Sequence, residues 1–178
     1  MSKALKGFES YIRSVRDFPK KGIVFRDITT LLKDGDALRQ VVERFHQKYK
    51  GMKIDKVVGV ESRGFIIGSA LAVKLETGFV PIRKRGKLPA ETVRQEYTLE
   101  YGTDIIEIHK DAISAGERVL LHDDLLATGG TISAACKLVE RLGGKIAGLC
   151  FLVELNFLKG RGRLSGYDVF SLVQYETE

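Results

Sequence analysis

The sequence predicts an α/β fold: a twisted, mainly parallel sheet with helices on both faces. Three observations carry this reading. From residue 53 onward, short apolar runs of strand character alternate with segments of helical periodicity. Two of the runs, 56–60 and 145–155, are largely apolar and read as buried strands. The chain has 178 residues, 44% of them apolar and 29% charged, which is enough for one domain (1–178) with its own core and without disulfides.

Taken in order, residues 2–15 place Leu5, Phe8, Ile12 and Val15 at helical spacing, so an amphipathic helix is expected first. Phe18-Pro19-Lys20-Lys21-Gly22 breaks that pattern, and 23–28 resumes as a short extended piece. Asp36 is the expected N-cap of a helix through Ala37, Leu38, Val41, Val42 and Phe45. After the strand at 56–60 and the turn Glu61-Ser62-Arg63-Gly64, the alanine-containing run 65–75 reads as a mostly buried helix closed by Gly78. Residues 79–83 form the next strand, in which Pro81 marks a strand start or a gap in the ladder. Residues 84–95, with a Gly, a Pro and many charges, read as a long loop. Residues 97–101 and 104–109 alternate like a hairpin joined near Gly102, and loop and hairpin together suggest a flap. Strands at 117–123, 145–155 and 168–174 follow, with a helix buried through Ile132, Ala135, Cys136, Val139 and Leu142 and ended by Gly143-Gly144. In such a sheet, ligands gather at the carboxyl ends of the strands.

Composition narrows the function classes. No apolar run is long enough to cross a bilayer, and residues 1–10 lack the apolar core of a secretion signal, so neither a membrane nor secretion is expected. Cys136 and Cys150 lie in apolar runs without metal-ligand spacing and read as reduced core thiols of a cytoplasmic protein. The net charge of +6 admits nucleic acid, anionic lipid or a polyphosphate substrate. Its two concentrations, Arg83-Lys84-Arg85-Gly86-Lys87 and Lys159-Gly160-Arg161-Gly162-Arg163, lack the interleaved aromatics of a single-strand binder.

Residues 119–135 are the most informative stretch. An apolar strand carries His122 and the adjacent acids Asp123 and Asp124, turns on Thr128-Gly129-Gly130-Thr131, and enters a helix. Paired carboxylates at a strand end can accept hydrogen bonds from vicinal hydroxyls, and a glycine-rich turn into a helix offers backbone amides to a phosphate. That combination suits a phosphorylated sugar. The loop lacks the Gly-Lys-Ser/Thr ending of a Walker site.

The run from His122 to Thr131 resembles the phosphoribosyl-diphosphate (PRPP) signature of the type I phosphoribosyltransferases, and its Leu-Leu-Ala-Thr-Gly-Gly variant is similar to that of the adenine-using branch. Phe25-Arg26-Asp27-Ile28, Glu61-Ser62-Arg63-Gly64-Phe65, the segment 82–89, Leu99-Glu100-Tyr101-Gly102 and Val153-Glu154-Leu155 fit the same family in the same order. The resemblance covers nearly the whole chain. It implies the type I fold, with residues 1–35 as a hood over the base and about 84–104 as a flexible flap.

The resemblance also implies roles. Asp123 and Asp124 hold the ribose hydroxyls, directly or through waters of Mg²⁺, for which Mn²⁺ can substitute; Ala127, Thr128, Gly129, Gly130 and Thr131 cradle the 5-phosphate. Ser62, Arg63, Arg83 and Lys87 take the diphosphate, and a cis peptide is expected between Glu61 and Ser62, where many adenine-using relatives have Asp in place of Glu61. Val24 and Arg26 offer a carbonyl acceptor and an amide donor to adenine, Phe25 stacks on its ring, and Leu155 lines the other side. Glu100 handles the proton of the base, Tyr101 closes over the ribosyl phosphate, and Arg63 joins them as the third catalytic residue. The implied reaction is adenine plus PRPP to AMP plus diphosphate in a homodimer, with no nucleic acid and no membrane partner.

The residues alone leave plainer readings beside these. Phe25 can be a core aromatic under the N-terminal helix, 61–64 an ordinary βα turn, 83–87 a solvated charge run, and His122 a satisfied, partly buried histidine. Two rival functions also stand: the same transfer to hypoxanthine, guanine or xanthine, and a nucleotide-sensing regulator that keeps the pocket without catalysis.

Overall fold

The computed structural model describes residues 7–98 and 102–178; Leu5, Leu99, Glu100 and Tyr101 lie outside the described residues. Two sheets form. β1 (Arg13–Arg16) and β2 (Val24–Asp27) pair antiparallel with Val15 opposite Phe25. The main sheet contains β3 (Lys56–Val60), β4 (Gly78–Lys84), β5 (Thr92–Thr98), β6 (Thr103–His109), β7 (Arg118–Leu126), β8 (Lys145–Leu155) and β9 (Val169–Tyr175), in the order β5-β6-β4-β3-β7-β8-β9. From β4 to β9 every pairing is parallel, and β6 and β5 add an antiparallel edge.

Neighbouring residues of a strand point to opposite faces, and here both faces are apolar. Val58, Leu121, Leu149 and Phe151 pack with Ile132, Ala135, Cys136 and Val139 of α4 (Gly130–Arg141). Val57, Leu120, Cys150 and Leu152 pack on the other face with Val41, Phe45 and Tyr49 of α2 (Gly35–Tyr49) and Ile67 and Leu71 of α3 (Gly64–Lys74). Each fully buried Leu or Phe in these layers contributes about 1.5–3 kcal/mol relative to exposure. The predicted α/β architecture is therefore the observed one.

Several boundaries differ. The N-terminal helix expected over 2–15 is absent from its described part, where a 3-10 turn at Phe8–Tyr11 leads into β1. The segment 17–22 folds back, with Asp17 and Gly22 at positive φ and the Gly22 amide donating to Asp17 Oδ1 at 2.8 Å, so residues 13–16 lie beside β2. Pairing with β2 then satisfies backbone groups that an isolated helix would have to satisfy alone. After α1, a single turn at Thr29–Leu32, the N-cap of α2 is Asp34 and not Asp36. Asp34 Oδ1 accepts the Asp36 and Ala37 amides at 3.0 and 2.9 Å, while Asp36 pairs with Arg39. Helix α3 stops at Leu75 and Glu76 takes the positive φ that follows, so Gly78 opens β4 and does not close the helix.

Pro81 does sit at a ladder gap: β6 pairs with β4 only at Arg83 and Lys84, leaving the far side of Pro81 open. The loop expected over 84–95 is shorter, because β5 starts at Thr92. Its alternation of partly buried Val93, Gln95 and Tyr97 with exposed Arg94 and Glu96 is masked by polar residues on both faces. A hairpin is present, with Thr98 opposite Thr103, but its first strand is β5 at Thr92–Thr98 where 97–101 was expected, and 99–101 lie outside the described residues. β7 runs three residues past the expected 123, to Leu126.

Asp34→Ala removes two hydrogen bonds from the start of α2 and should lower stability by about 1 kcal/mol in urea titration. Asp36→Ala, which leaves the cap in place, should change it by less than about 0.5 kcal/mol.

Candidate active site at the carboxyl ends of the strands

The last pair between β3 and β7 is Gly59 with His122, yet β7 continues against β8 as far as Leu126 opposite Glu154. Asp123 and Asp124 thus project from a strand held on one side only. Asp124 is 5% exposed and Asp123 half-buried. Asp123 Oδ1 accepts the Asp124 amide at 2.9 Å, and Arg63 Nε lies 2.9 Å from Asp124 Oδ2, which has no aligned hydrogen-bond donor among the described residues. Burial, then the neighbouring Asp124 charge, raises the Asp123 carboxyl well above its usual range. Burial also raises Asp124, with Arg63 opposing it. The pair is held ready to accept hydrogen bonds or to meet a cation.

Beyond Leu126 the chain turns over a cavity of about 70 Å³ lined by Asp123, Ala127, Thr128, Gly129, Gly130 and Thr131. Gly129 has φ 79°, a conformation glycine adopts without strain, and it lets the chain enter α4 directly at Gly130. The first-turn amides of α4 have no intrahelical acceptors, so they present positive charge to this cavity. An anion fits there.

A second turn meets the same point. The Glu61–Ser62 peptide is cis, as the sequence resemblance implied, and Arg63 and Gly64 lead into α3. Gly64 packs so closely on β7 that a Cβ there would lie 3.1 Å from both Asp123 Oδ1 and the His122 carbonyl. Glu61 gathers the nearby cations: its carboxylate accepts from Arg83 Nε and NH2 at 3.3 and 3.2 Å, from Lys87 Nζ at 2.8 Å and from the Lys84 amide at 2.9 Å. Burial would push this carboxyl up, but Lys87, the Lys84 amide and Arg83 together hold it down at about 2. Arg83 also donates to the Lys87 carbonyl at 3.1 Å. The run 83–87 is therefore an ordered, acid-paired segment and not a freely solvated one.

Sequence reasoning missed the anchor of this segment. Glu107 on β6 is 1% exposed and accepts the Gly86 and Leu88 amides at 2.8 and 3.4 Å, with Thr92 Oγ1 and Arg94 Nε at 3.3 and 3.1 Å. The available signal was an acid at an apolar position of a strand, in Ile106-Glu107-Ile108.

On the hood side, Phe25 is half-buried, edge-on to Phe18 at 5.2 Å, with the Arg63 guanidinium 5.0 Å from its ring centre. No α-helix covers it among the described residues of the N-terminal segment, which form a 3-10 turn and β1. The Phe18 amide donates to the Ile23 carbonyl on the β1 side of β2, so the alternating backbone groups of Val24 and Arg26 face the opposite edge. That edge has no ladder partner among the described residues. The Arg26 side chain is turned away, 3.8 Å over the Tyr175 ring. Leu155, at the end of β8, belongs to the apolar cluster of Ile12 and Ile28.

His122 is fully buried, where partial burial was expected; Nδ1 lies 3.0 Å from the Cys150 carbonyl, and Nε2 has no partner among the described residues. Burial lowers its pKa to about 4, so the ring is neutral and packs edge-on against Phe45 at 5.4 Å. Among the described residues no group of three or more His, Cys, Asp or Glu side chains could hold a metal. Two adjacent carboxylates suit a divalent cation that brings most of its oxygen ligands with it.

The model of the phosphoribosyl transferase domain matches residues 28–176. The adenine phosphoribosyltransferase of Christiangramia forsetii is 58% identical over 167 residues, covering 94% of this chain and 98% of its own. The crystal structure of adenine phosphoribosyltransferase from Thermoanaerobacter pseudethanolicus superposes with a TM-score of 0.92 at 54% identity, covering 94% of this chain and 98% of that one. The Giardia lamblia enzyme, complexed with 9-deazaadenine, gives 0.90 at 40% identity over 95% and 96% of the two chains. With the acid pair, the glycine turn and the arginine-bearing second turn converging at the strand ends, this chain belongs to the phosphoribosyl transferase family.

Proposed function

We propose that this chain transfers the 5-phosphoribosyl group of PRPP to N9 of adenine, releasing diphosphate and forming AMP in purine salvage. The observation that carries the reading is the convergence of an acid pair, a helix-start anion cradle and a paired cation cluster at the carboxyl ends of the central strands. The adenine in the names of the similar enzymes agrees with the open edge of β2. There the Val24 carbonyl and Arg26 amide match adenine's 6-amino group and N1, whereas a 6-oxopurine would leave both unpaired.

In this reading Asp123 and Asp124 accept the ribose hydroxyls, residues 127–131 hold the 5-phosphate, and Ser62, Arg63, Arg83 and Lys87 take the diphosphate. Arg63 leaves Asp124 to do so, and Arg83 and Lys87 exchange Glu61 for phosphate oxygens. Phe25 and Leu155 sandwich the base. Glu100 holds the tautomer that frees N9 and then accepts its proton, and Tyr101 covers the ribosyl phosphate. Mg²⁺, or Mn²⁺ in its place, would be carried on PRPP and water near Asp123 and Asp124 and would neutralise the leaving diphosphate. The chain's part is orientation, a dry cleft and fixed charges around an oxocarbenium-like state.

We read residues 1–178 as one domain, with 1–35 as hood and 84–104 as a flap hinged on the β5–β6 hairpin. A homodimer is supported by α3, which is apolar all round yet leaves Ile66 and Val73 45% and 79% exposed, seven residues apart on one face. Arg83 to Lys87 lie near that contact in this reading. The two buried free thiols suit a reducing cytoplasm. No helix among the described residues is long and apolar enough to cross a membrane, and we assign neither membrane nor nucleic acid as a partner.

Incubation with adenine, PRPP and Mg²⁺ should yield AMP and diphosphate. Consumption of hypoxanthine, guanine or xanthine instead would move the assignment to another base, and PRPP binding without turnover of any purine would indicate a regulator. Glu100→Gln should lower kcat by about 10²-fold or more with little change in PRPP affinity; equal losses in both would contradict the proton role. Asp123→Asn should abolish most activity while stabilising the fold at neutral pH. A carboxyl raised in the folded state contributes stability that is lost as pH rises through its raised range, so the stabilisation by Asn should be full above that range, shrink as pH falls toward the usual carboxylate range, and be gone below it. A variant less stable than the parent at pH 8 would contradict this.

A further inference from the structure

The second basic cluster, Lys159 to Arg163, is left unused by the transfer reaction, yet it packs against the back of the proposed phosphate seat. It forms a 3-10 turn at Gly160–Leu164, entered through Lys159 at φ 53°. Gly160 is buried. A Cβ on Gly160 would lie 2.2 Å from the Ala127 carbonyl oxygen, and one on Gly129 would lie 2.6 Å from the Gly160 carbonyl oxygen. The two backbones are therefore in contact on both sides of Gly160, with no room for a methyl group.

The orientation of the touching carbonyl matters. In a trans peptide the C=O and the following N–H point in opposite directions. Because the Ala127 carbonyl is directed at Gly160, the Thr128 amide of the same peptide points the other way, toward the cavity. Rotating that peptide by even a small angle would move its amide off the anion. Gly160 blocks the rotation.

The turn that carries Gly160 is itself fastened to the sheet. Arg161 donates to both oxygens of Glu154 at 2.6 and 2.7 Å, to the Val169 carbonyl at 3.0 Å and to Ser171 Oγ at 3.1 Å, and Ser171 Oγ in turn donates to Glu154. Glu154 is 2% exposed and lies opposite Leu126, one residue before the phosphate loop begins. A planar fork on a buried carboxylate fixes both distance and angle, which a lysine could not do.

We infer that Gly160, held by the Arg161–Glu154 pair, is a positioning residue for the 5-phosphate: it sets the Ala127–Thr128 peptide so that its amide faces the ligand. The inference rests on the assignment of residues 127–131 as the phosphate seat. The test uses ribose 5-phosphate and inorganic diphosphate as separate probes, by calorimetry on the intact protein, with a thermal melt of each variant. Gly160→Ala should weaken ribose 5-phosphate binding at least tenfold and raise KM for PRPP, with diphosphate affinity and KM for adenine within twofold of the parent. Arg161→Lys, which adds no atom near the loop, should weaken ribose 5-phosphate by roughly threefold and spare diphosphate. It keeps the test open if the alanine variant fails to fold. Unchanged ribose 5-phosphate affinity in a folded Gly160→Ala protein, or in Arg161→Lys, would overturn the inference, as would parallel loss of both probes. Thr131→Val separates the two claims. Loss of ribose 5-phosphate there but not in Gly160→Ala overturns only the buttress, whereas no loss in Thr131→Val overturns the phosphate seat itself.

Discussion

Two carboxylates that would rather be apart are held together at the end of β7, and the neighbouring structure compensates them only in part. Burial disfavours the charge of each, and the Asp124 charge adds to the cost at Asp123. What offsets it is limited: one backbone amide within the pair and the Arg63 guanidinium. Such a cost survives in a fold when the groups are reserved for a partner that arrives later. Vicinal hydroxyls and a substrate-borne cation are partners of the right kind.

The surrounding charges follow the same logic. In the proposed reaction the substrate carries a monophosphate at one end and a diphosphate at the other, so the reading calls for two anion seats separated by the acids. The first is built from backbone: the glycine turn into α4, backed by Gly160. The second is built from side chains, Arg63, Arg83 and Lys87, which in the free protein are occupied by Asp124 and Glu61. In that proposed reading, carboxylates stand in for phosphates until the ligand binds. Glu107 fixes the loop that carries Lys87 by its backbone, leaving the lysine side chain to change partner.

The α/β alternation and the strand-turn-helix at residues 119–135 were legible because their signals are local. The apolar runs 56–60 and 145–155 coincide with β3 and β8, and Asp123 to Thr131 form a continuous strand-turn-helix in both sequence and structure. What was illegible depends on pairing between distant segments. Residues 13–16 carry a helical spacing but become a strand because 24–27 lies beside them. Thr92 to Thr98 hides its alternation behind polar side chains that β6 and α4 accept, through contacts such as Arg141 with the Arg94 carbonyl and Gln95. The partnership of Glu61 with Arg83 and Lys87 spans more than twenty residues, and that of Gly160 with Ala127 more than thirty. Neither leaves a trace in spacing.

The most direct test of this account is the proton balance of PRPP binding. Because the acid pair is held with raised proton affinity and would accept hydrogen bonds from ribose hydroxyls only as carboxylate, binding should drive protons off it. Calorimetry of Mg²⁺-PRPP binding at fixed pH, in buffers of different ionisation enthalpy, reads the number released, and the Asp123→Asn variant accounts for protons lost by the ligand's own phosphates. The account predicts net release in the parent protein, growing as pH is lowered toward 6 and reduced in the variant. Equal release from parent and variant, or proton uptake by the parent, would contradict it.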